Sequence, residues 1–258
     1  YLPDNSEVER VVTTGNHMAY LKIAEGCDKR CSYCIIPKIR GRFRSVPMQE
    51  LLNEAKRLAS EGVKELVLVA QETTLYGKDL TGEKQLPLLL HELCKIEGIE
   101  WIRLLYCYPE EITDELIKVI KTEEKVCNYI DMPIQHSENR ILQRMGRRTS
   151  REDLVAVIKK LRKEIPDITI RTTLITGFPG ESQEDHEGLM NFVEECQFDR
   201  LGVFTYSPEE DTLAATFEDQ IDEEVKEERR DELMSLQQEI SYEHTQQLVG
   251  KTIKVMVE

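Results

Sequence analysis

Short apolar runs alternate with amphipathic stretches along this 258-residue chain. Residues 19–24 read as a short strand that leads into a cluster of cysteines. Over 47–61 the apolar positions Leu51, Leu52, Ala55, Leu58 and Ala59 recur at helical spacing, and Gly62 supplies a stop. Residues 65–70, Glu-Leu-Val-Leu-Val-Ala, form the nearly continuous apolar run of a strand buried on both faces. The alternation continues with helix 86–96, strand 101–106, helix 113–121, strand 129–132, helices 138–145 and 151–164, strand 168–175, helix 182–196 and strand 200–206. Ser150 precedes the 151–164 helix as an N-cap, with Asp153 three positions on. Thr113 is a poorer match to a capping box, since Glu115 comes two residues later and Leu116 three.

Six β-then-α steps at a spacing of roughly 30–40 residues predict a parallel sheet with right-handed crossovers. The expected fold is α/β, an open partial (βα)6 TIM-like barrel short of the closed eightfold form, with its ligand at the carboxyl ends of the strands. Residues 223–248 read as one long charged helix, and 250–258 begin an alternating strand that finds no partner in the chain. The expected organisation is a linker over 1–16, the barrel over 17–220, a C-terminal helix over 221–249 and the start of a further β domain over 250–258. The chain opens on Tyr1 and ends inside that last strand, so it reads as a piece of something longer.

Hydrophobic residues make up 40% and charged residues 32%, the balance of a globular protein rather than a disordered tail. No apolar run approaches the ~20 residues of a membrane span, and no secretory leader is visible, so a cytoplasmic location is expected and no membrane partner. The net charge of −15 argues against a whole-surface nucleic-acid binder. That charge is uneven. Between Cys27 and Arg44 six bases (Lys29, Arg30, Lys38, Arg40, Arg42, Arg44) face one acid, Asp28, while between Glu209 and Glu232 twelve acids face three bases. The basic stretch is either a solvated loop or a local attractor for an anionic partner.

Seven cysteines, an odd number with no sign of secretion, argue against a disulfide framework. Cys94, Cys107, Cys127 and Cys196 are scattered and read as inert buried thiols. Cys27, Cys31 and Cys34 crowd into eight residues as C-x3-C-x2-C after the first strand. A [4Fe–4S] cluster has four irons, each wanting a thiolate, so three thiolates leave one iron free to chelate a small molecule. Gly26 permits a backbone turn before the first cysteine, and Lys29 and Arg30 are expected to favour thiolate over thiol. The competing reading is a structural zinc site, which needs a distant fourth ligand such as His17, His136 or Cys107.

This loop, with Tyr33 before the third cysteine, resembles the radical SAM superfamily over about residues 19–206. The resemblance implies that the open iron of a [4Fe–4S] cluster on Cys27, Cys31 and Cys34 binds the amino and carboxylate groups of S-adenosylmethionine (SAM). It also implies one-electron cleavage of the sulfonium to a 5′-deoxyadenosyl radical that takes hydrogen from an unactivated carbon. Glu25-Gly26-Cys27, Cys34-Ile35-Ile36-Pro37, Arg40-Gly41-Arg42, Ala70-Gln71-Glu72-Thr73-Thr74 and Thr176-Gly177-Phe178-Pro179-Gly180-Glu181 are similar to the methylthiotransferase branch. Gly250-Lys251 to Glu258 resembles the opening of the TRAM β-barrel appended to those enzymes. Members carry an N-terminal domain whose three further cysteines hold a second [4Fe–4S] cluster, expected upstream of this chain.

Within the branch, Met132-Pro133-Ile134-Gln135-His136-Ser137 and Gln71-Glu72-Thr73-Thr74 resemble the enzymes that modify the β-carbon of an aspartate in a small-subunit ribosomal protein (RimO-type). A tRNA adenosine methylthiotransferase is the rival within the class, and a non-catalytic iron–sulfur redox or scaffold module the rival outside it. The implied partners are that ribosomal protein and an electron donor, a reductase or flavodoxin-like protein. Asp211 stands where the family commonly has glycine, which puts the local turn in doubt. Candidate SAM contacts are Tyr33, Gln71, Glu72, Gln135, Arg171 and Thr173. Glu72 suits the SAM ammonium or, alternatively, a loop hydrogen bond. Arg171 and Thr173 share one face of a strand, where Arg171 either binds the SAM carboxylate or pairs with Glu72. His136 is a substrate contact or an ordinary loop histidine. No residue is assigned a catalytic role beyond these.

Overall fold

The computed structural model describes residues 17–256. The expected linker over 1–16 lies outside them, as do the last two positions of 250–258. In chain order the elements are β1 (Met18–Lys22), β2 (Ala24–Glu25), α1 (Ile36–Arg40), β3 (Arg44–Ser45), α2 (Met48–Ser60), β4 (Glu65–Val69), α3 (Lys78–Thr81), α4 (Leu86–Cys94) and β5 (Trp101–Leu104). They continue with α5 (Asp114–Thr122), β6 (Tyr129–Asp131), α6 (Asn139–Arg144), α7 (Arg151–Glu164), β7 (Thr169–Thr176), α8 (Gln183–Cys196), β8 (Arg200–Thr205) and α9 (Glu223–Gln246).

Six strands run parallel in chain order. β1 pairs with β4 and β4 with β5, while β6 pairs with β7 and β7 with β8. Backbone bonds join the two halves: Cys127 N–H donates to Ile102 at 2.9 Å and Cys107 N–H to Asp131 at 2.8 Å. No ladder joins β1 to β8 among the described residues, so the barrel is open as predicted. The residues of β4 show why the expectation held: Glu65, Leu66, Val67 and Leu68 are all buried, as a central parallel strand requires. In β7 burial alternates strictly. Ile170, Thr172, Leu174 and Thr176 face the core, and Arg171, Thr173 and Ile175 face the barrel interior.

The helices start where their caps demand. The hydroxyls of Ser150 and Ser182 accept from the N–H of Asp153 and Asp185, whose carboxylates close reciprocal capping boxes. Thr113 is a simple N-cap, accepting from Leu116 at 3.2 Å. Strand 101–106 ends early, at Leu104, because Tyr106 turns to φ 57°. Two features were not anticipated: the antiparallel pair β2–β3, and the short helices α1 and α3. Residues 251–256 form no strand. A lone strand lacks a ladder partner, and Lys254 instead pairs with Glu100 at 2.7 Å.

The long helix α9 packs on β8 and α8 with a stripe that is only partly apolar: Lys226, Arg229, Leu233, Gln237 and Ile240 are buried. Each polar member has a fixed acceptor. Lys226 donates to Tyr206 O at 3.0 Å, Arg229 to Glu181 Oε1 at 2.9 Å and Gln237 to Phe198 O at 2.8 Å. No helix among the described residues is long and apolar enough to cross a membrane.

Candidate functional site

The cysteine loop is clamped at its base by β2–β3, which pairs Ala24 with Ser45 and Glu25 with Arg44. Gly26 sits at φ 78°, and a Cβ there would lie 2.2 Å from Arg42 O, so only glycine fits. Gly26 N–H donates to Gln71 Oε1 at 2.8 Å, tying the loop to the end of β4. The other side is held by Ser32, whose N–H donates to Met145 O at 2.9 Å and whose hydroxyl donates to Arg144 O at 2.8 Å. Cys27 and Cys31 are buried and Cys34 half-buried.

All three thiols line one cavity of about 500 Å³ at the carboxyl ends of the strands. Tyr33, Gln71, Gln135, Arg171 and Thr173 line the same cavity, joined by Tyr106, Tyr108, Asp131 and Phe204. The volume lies in the range of small-molecule sites. Larger hollows of about 680 and 900 Å³ lie against α9, but they are open surface grooves without a cysteine.

Gln135 and Tyr106 are non-glycine residues at φ 73° and 57°. Such positions cost of order 1 kcal/mol or more and persist where the surroundings impose them. For Gln135 the imposing bonds are visible: its N–H donates to Thr173 O at 2.9 Å, and its carbonyl accepts from Ile175 at 2.8 Å. Both strained residues face the cavity.

Glu72 is not part of that lining. It is fully buried behind the strand end, where its carboxylate accepts from the Thr74 N–H at 2.9 Å and from the Thr74 hydroxyl. Burial pushes its carboxyl up to about 7 against the pull of Thr74 and Lys29. Arg171 likewise does not pair with Glu72. Its Nη1 donates to Asp131 Oδ1 at 2.8 Å, across the register that sets Asp131 beside Arg171 on β6 and β7. The other Asp131 oxygen accepts from Tyr106 N–H at 3.1 Å. Asp131 is therefore the carboxylate of this cavity. Its position at the end of the fourth barrel strand, directly across from Arg171, was the signal available in the sequence.

His136 is a buried structural histidine, 3.6 Å from Glu181 Oε2, with Nδ1 accepting from the Glu138 N–H at 3.0 Å. Burial raises the Glu181 carboxyl, but His136, Arg229 and the Phe178 N–H together take it below the usual carboxylate range. Asp211 takes φ 68°, so the turn that glycine would adopt freely forms with an aspartate in the left-handed region. Within the basic stretch Arg42 pairs with Asp28 at 3.2 Å and Lys38 donates to Asp211 O at 2.7 Å.

Of the expectation that Lys29 and Arg30 favour thiolates, the part resting on the Lys29 ammonium is corrected; Lys29 reaches Cys27 Sγ only through its backbone N–H, at 3.4 Å. Its ammonium is taken by Glu110 at 3.0 Å and Glu111 at 2.7 Å. Burial, with repulsion from Cys31, Glu72 and Cys34, pushes the Cys27 thiol up to about 11, and burial also raises Cys34. Tyr108 places its hydroxyl 3.8 Å from Cys31 Sγ. The donor set fits a cluster better than a single ion. Among the described residues no three His, Cys, Asp or Glu side chains close on one point, as structural zinc requires. Three thiols around one hollow suit three separate irons. Of the four scattered cysteines, Cys107 and Cys196 are buried as expected, while Cys94 and Cys127 are only half-buried; burial pushes Cys107, Cys94 and Cys196 up to about 12, 12 and 11 and also raises Cys127.

Residues 21–193 match the radical SAM superfamily profile. The chain is 63% identical over 255 residues, 98% of its length, to a ribosomal protein uS12 methylthiotransferase RimO of Lachnoclostridium phytofermentans. It is 54% identical over 254 residues to the RimO of Clostridioides difficile. It spans 58% and 57% of those proteins, little more than half their length. Among solved structures it resembles the radical SAM methyltransferase TsrM of Kitasatospora setae, with a TM-score of 0.61, 18% identity, and 73% of this chain and 36% of that one covered. It also resembles methylornithine synthase PylB, with a TM-score of 0.59, 16% identity, and 87% and 64% covered. At these identities the structural likeness concerns the fold.

Proposed function

Because this chain belongs to the radical SAM superfamily, we propose that it is the catalytic core of a methylthiotransferase acting on the β-carbon of an aspartate in a small-subunit ribosomal protein. The observation that carries this reading is the convergence of Cys27, Cys31, Cys34, Arg171 and Asp131 on one cavity. The substrate follows from the names of relatives at 54–63% identity. A redox scaffold would have no use for the Arg171–Asp131 pair or for two strained residues aimed into the hollow.

A [4Fe–4S] cluster with SAM on its open iron, when bound, supplies one-electron cleavage of the sulfonium and a carbon radical able to take hydrogen from an unactivated carbon. The chain's residues prepare for that chemistry. Cys27, Cys31 and Cys34 would hold three of the cluster's irons. Burial raises the Cys27 and Cys34 thiols, so loading releases protons and is favoured at higher pH. Arg171 has donors left beyond its Asp131 bond and is assigned to the SAM carboxylate. The buried Asp131 holds Arg171 in place and gives the cavity an anionic wall for the SAM ammonium. Gln135 and Thr173 orient the remaining polar groups, and Tyr33, Tyr106 and Phe204 form apolar walls.

The second cluster is assigned to a segment of the intact protein preceding this chain, and residues 250–258 to the start of a TRAM domain. The electron donor is a reductase or flavodoxin-like protein, and the enzyme works in the cytoplasm. Mass spectrometry of the ribosomal protein and nucleoside analysis of tRNA, from cells with and without the gene, test the substrate. The reading expects a methylthio mark lost from the protein and tRNA unchanged. A mark lost from tRNA alone would move the chain to the other branch.

A further inference from the structure

We propose that Arg147 is the buried counter-charge of the cysteine-loop site, a positioning residue that biases the bound cluster toward its reduced state. The inference rests on the cluster reading above. Arg147 is 7% exposed, and no carboxylate lies within ion-pair distance of it among the described residues. Its Nη2 donates to Pro133 O at 3.0 Å, while Nε and Nη1 are buried without a partner. A buried cation left in this way is costly unless an anion completes the site. Neither nearby acid is within ion-pair distance of Arg147: Glu110 gives Oε1 to Lys29 and keeps Oε2 buried without a hydrogen-bond partner, and Glu111 pairs with Lys29 and with Lys84 at 2.8 Å.

What Arg147 does face is the cysteine loop. Its guanidinium lies 4.3 Å over the Tyr108 ring, and the Tyr108 hydroxyl is 3.8 Å from Cys31 Sγ. Arg147, Cys31 and Tyr108 line one small hollow of about 130 Å³, together with Glu110 and Gly146. The position of Arg147 is fixed. Gly146 sits at φ 73°, where a Cβ would lie 2.8 Å from Arg30 O, so residues 145–147 are pressed against the loop.

Three thiolates on an oxidised [4Fe–4S] core leave the site net negative, and a one-electron donor adds a further negative charge on reduction. A fixed cation in a low-dielectric surround stabilises that second charge more than the first. Packing alone would be served as well by an apolar side chain over Tyr108, which would carry no desolvation cost.

The test is an EPR-monitored redox titration of the anaerobically reconstituted chain, with iron content and thermal unfolding read alongside. Arg147→Gln should shift the ratio of reduced to oxidised cluster at a fixed potential at least tenfold toward oxidised, about 59 mV for a one-electron couple. Arg147→Lys, which keeps the charge and loses the planar fork, should stay within threefold of the parent. An R147Q cluster at full iron content with the parent midpoint overturns the proposal, as does an R147K midpoint displaced as far as that of R147Q. Should R147Q hold no iron, R147K decides: retention at the parent midpoint supports the charge role, and loss of the cluster overturns it. A parent chain that binds no iron overturns the cluster reading itself, and this inference with it.

Discussion

Replacing Arg171 by Gln separates the structural and the ligand-binding work of one side chain. The Arg171–Asp131 pair is asymmetric: the guanidinium side chain is 42% exposed and the carboxylate 2%. Solvent screens the arginine end, where exposed pairs contribute about 0.2–1 kcal/mol. At the other end Asp131 keeps its bond from Tyr106 N–H at 3.1 Å but loses a charge-assisted donor at 2.8 Å. Leaving a buried acceptor short costs roughly 1–3 kcal/mol. Arg171→Gln should therefore cost about 1–2 kcal/mol of stability, roughly 2–8 °C in Tm for a chain of this size.

The ligand effect should be larger and chemically selective. Losing a hydrogen bond from a charged donor to a carboxylate costs about 1.5–3 kcal/mol, a roughly 10- to 150-fold loss of affinity. Calorimetric titration of the cluster-loaded variant with SAM should show that loss. Titration with 5′-methylthioadenosine, which lacks the amino-acid carboxylate, should match the parent. A folded, cluster-loaded R171Q that binds SAM within twofold of the parent would refute the assignment of Arg171 to the carboxylate.

Two further outcomes follow from buried charges. Glu72 is held up to about 7 from an ordinary value of 4.5, so the folded chain keeps a proton that the unfolded chain has lost. The stability this group contributes is full below 4.5 and is lost as pH rises through about 7. Glu72→Gln should gain on the parent by up to ~3 kcal/mol between pH 5 and pH 8 in urea unfolding, and a difference flat with pH would contradict this. Arg229→Met removes one partner of the buried Glu181 carboxylate beneath α9 and leaves it His136 and the Phe178 N–H, which should cost ~1–3 kcal/mol. The double change Glu181→Gln with Arg229→Met should cost much less than the sum of the singles; strict additivity would count against a buried pair.

Much of this architecture was legible because its periods are simple. The β4 run is nearly continuous in apolar residues, as a strand buried on both faces is. Ser150 precedes its helix with an acid three residues on, so that start is unambiguous. The three cysteines were legible as a unit because chain spacing alone forces them together. What escaped depends on contacts between distant segments. β2–β3 is two residues a side and leaves no pattern. The α9 stripe repeats at helical spacing, but Lys226, Arg229 and Gln237 stand where apolar residues would announce it. Glu72 lies outside the cavity lining, in the loop hydrogen bond that was its alternative reading, for a local reason. Thr74 sits two residues after Glu72 and captures its carboxylate, whereas Asp131 is aimed by its neighbour in the sheet. Lys29 looked like a partner for thiolates until Glu110 and Glu111, some eighty residues away, claimed it.

The three-cysteine cluster site is tested most directly by iron and sulfide analysis of the anaerobically reconstituted chain beside its single cysteine-to-alanine variants. The parent should hold about four irons and four sulfides, with the absorbance of a [4Fe–4S] centre. Cys27→Ala, Cys31→Ala and Cys34→Ala should each lose it, because two thiolates cannot hold the cluster, while Cys107→Ala and Cys127→Ala should keep it. A cluster that survives loss of any of the first three, or disappears on loss of Cys107 or Cys127, would contradict the assignment of this loop.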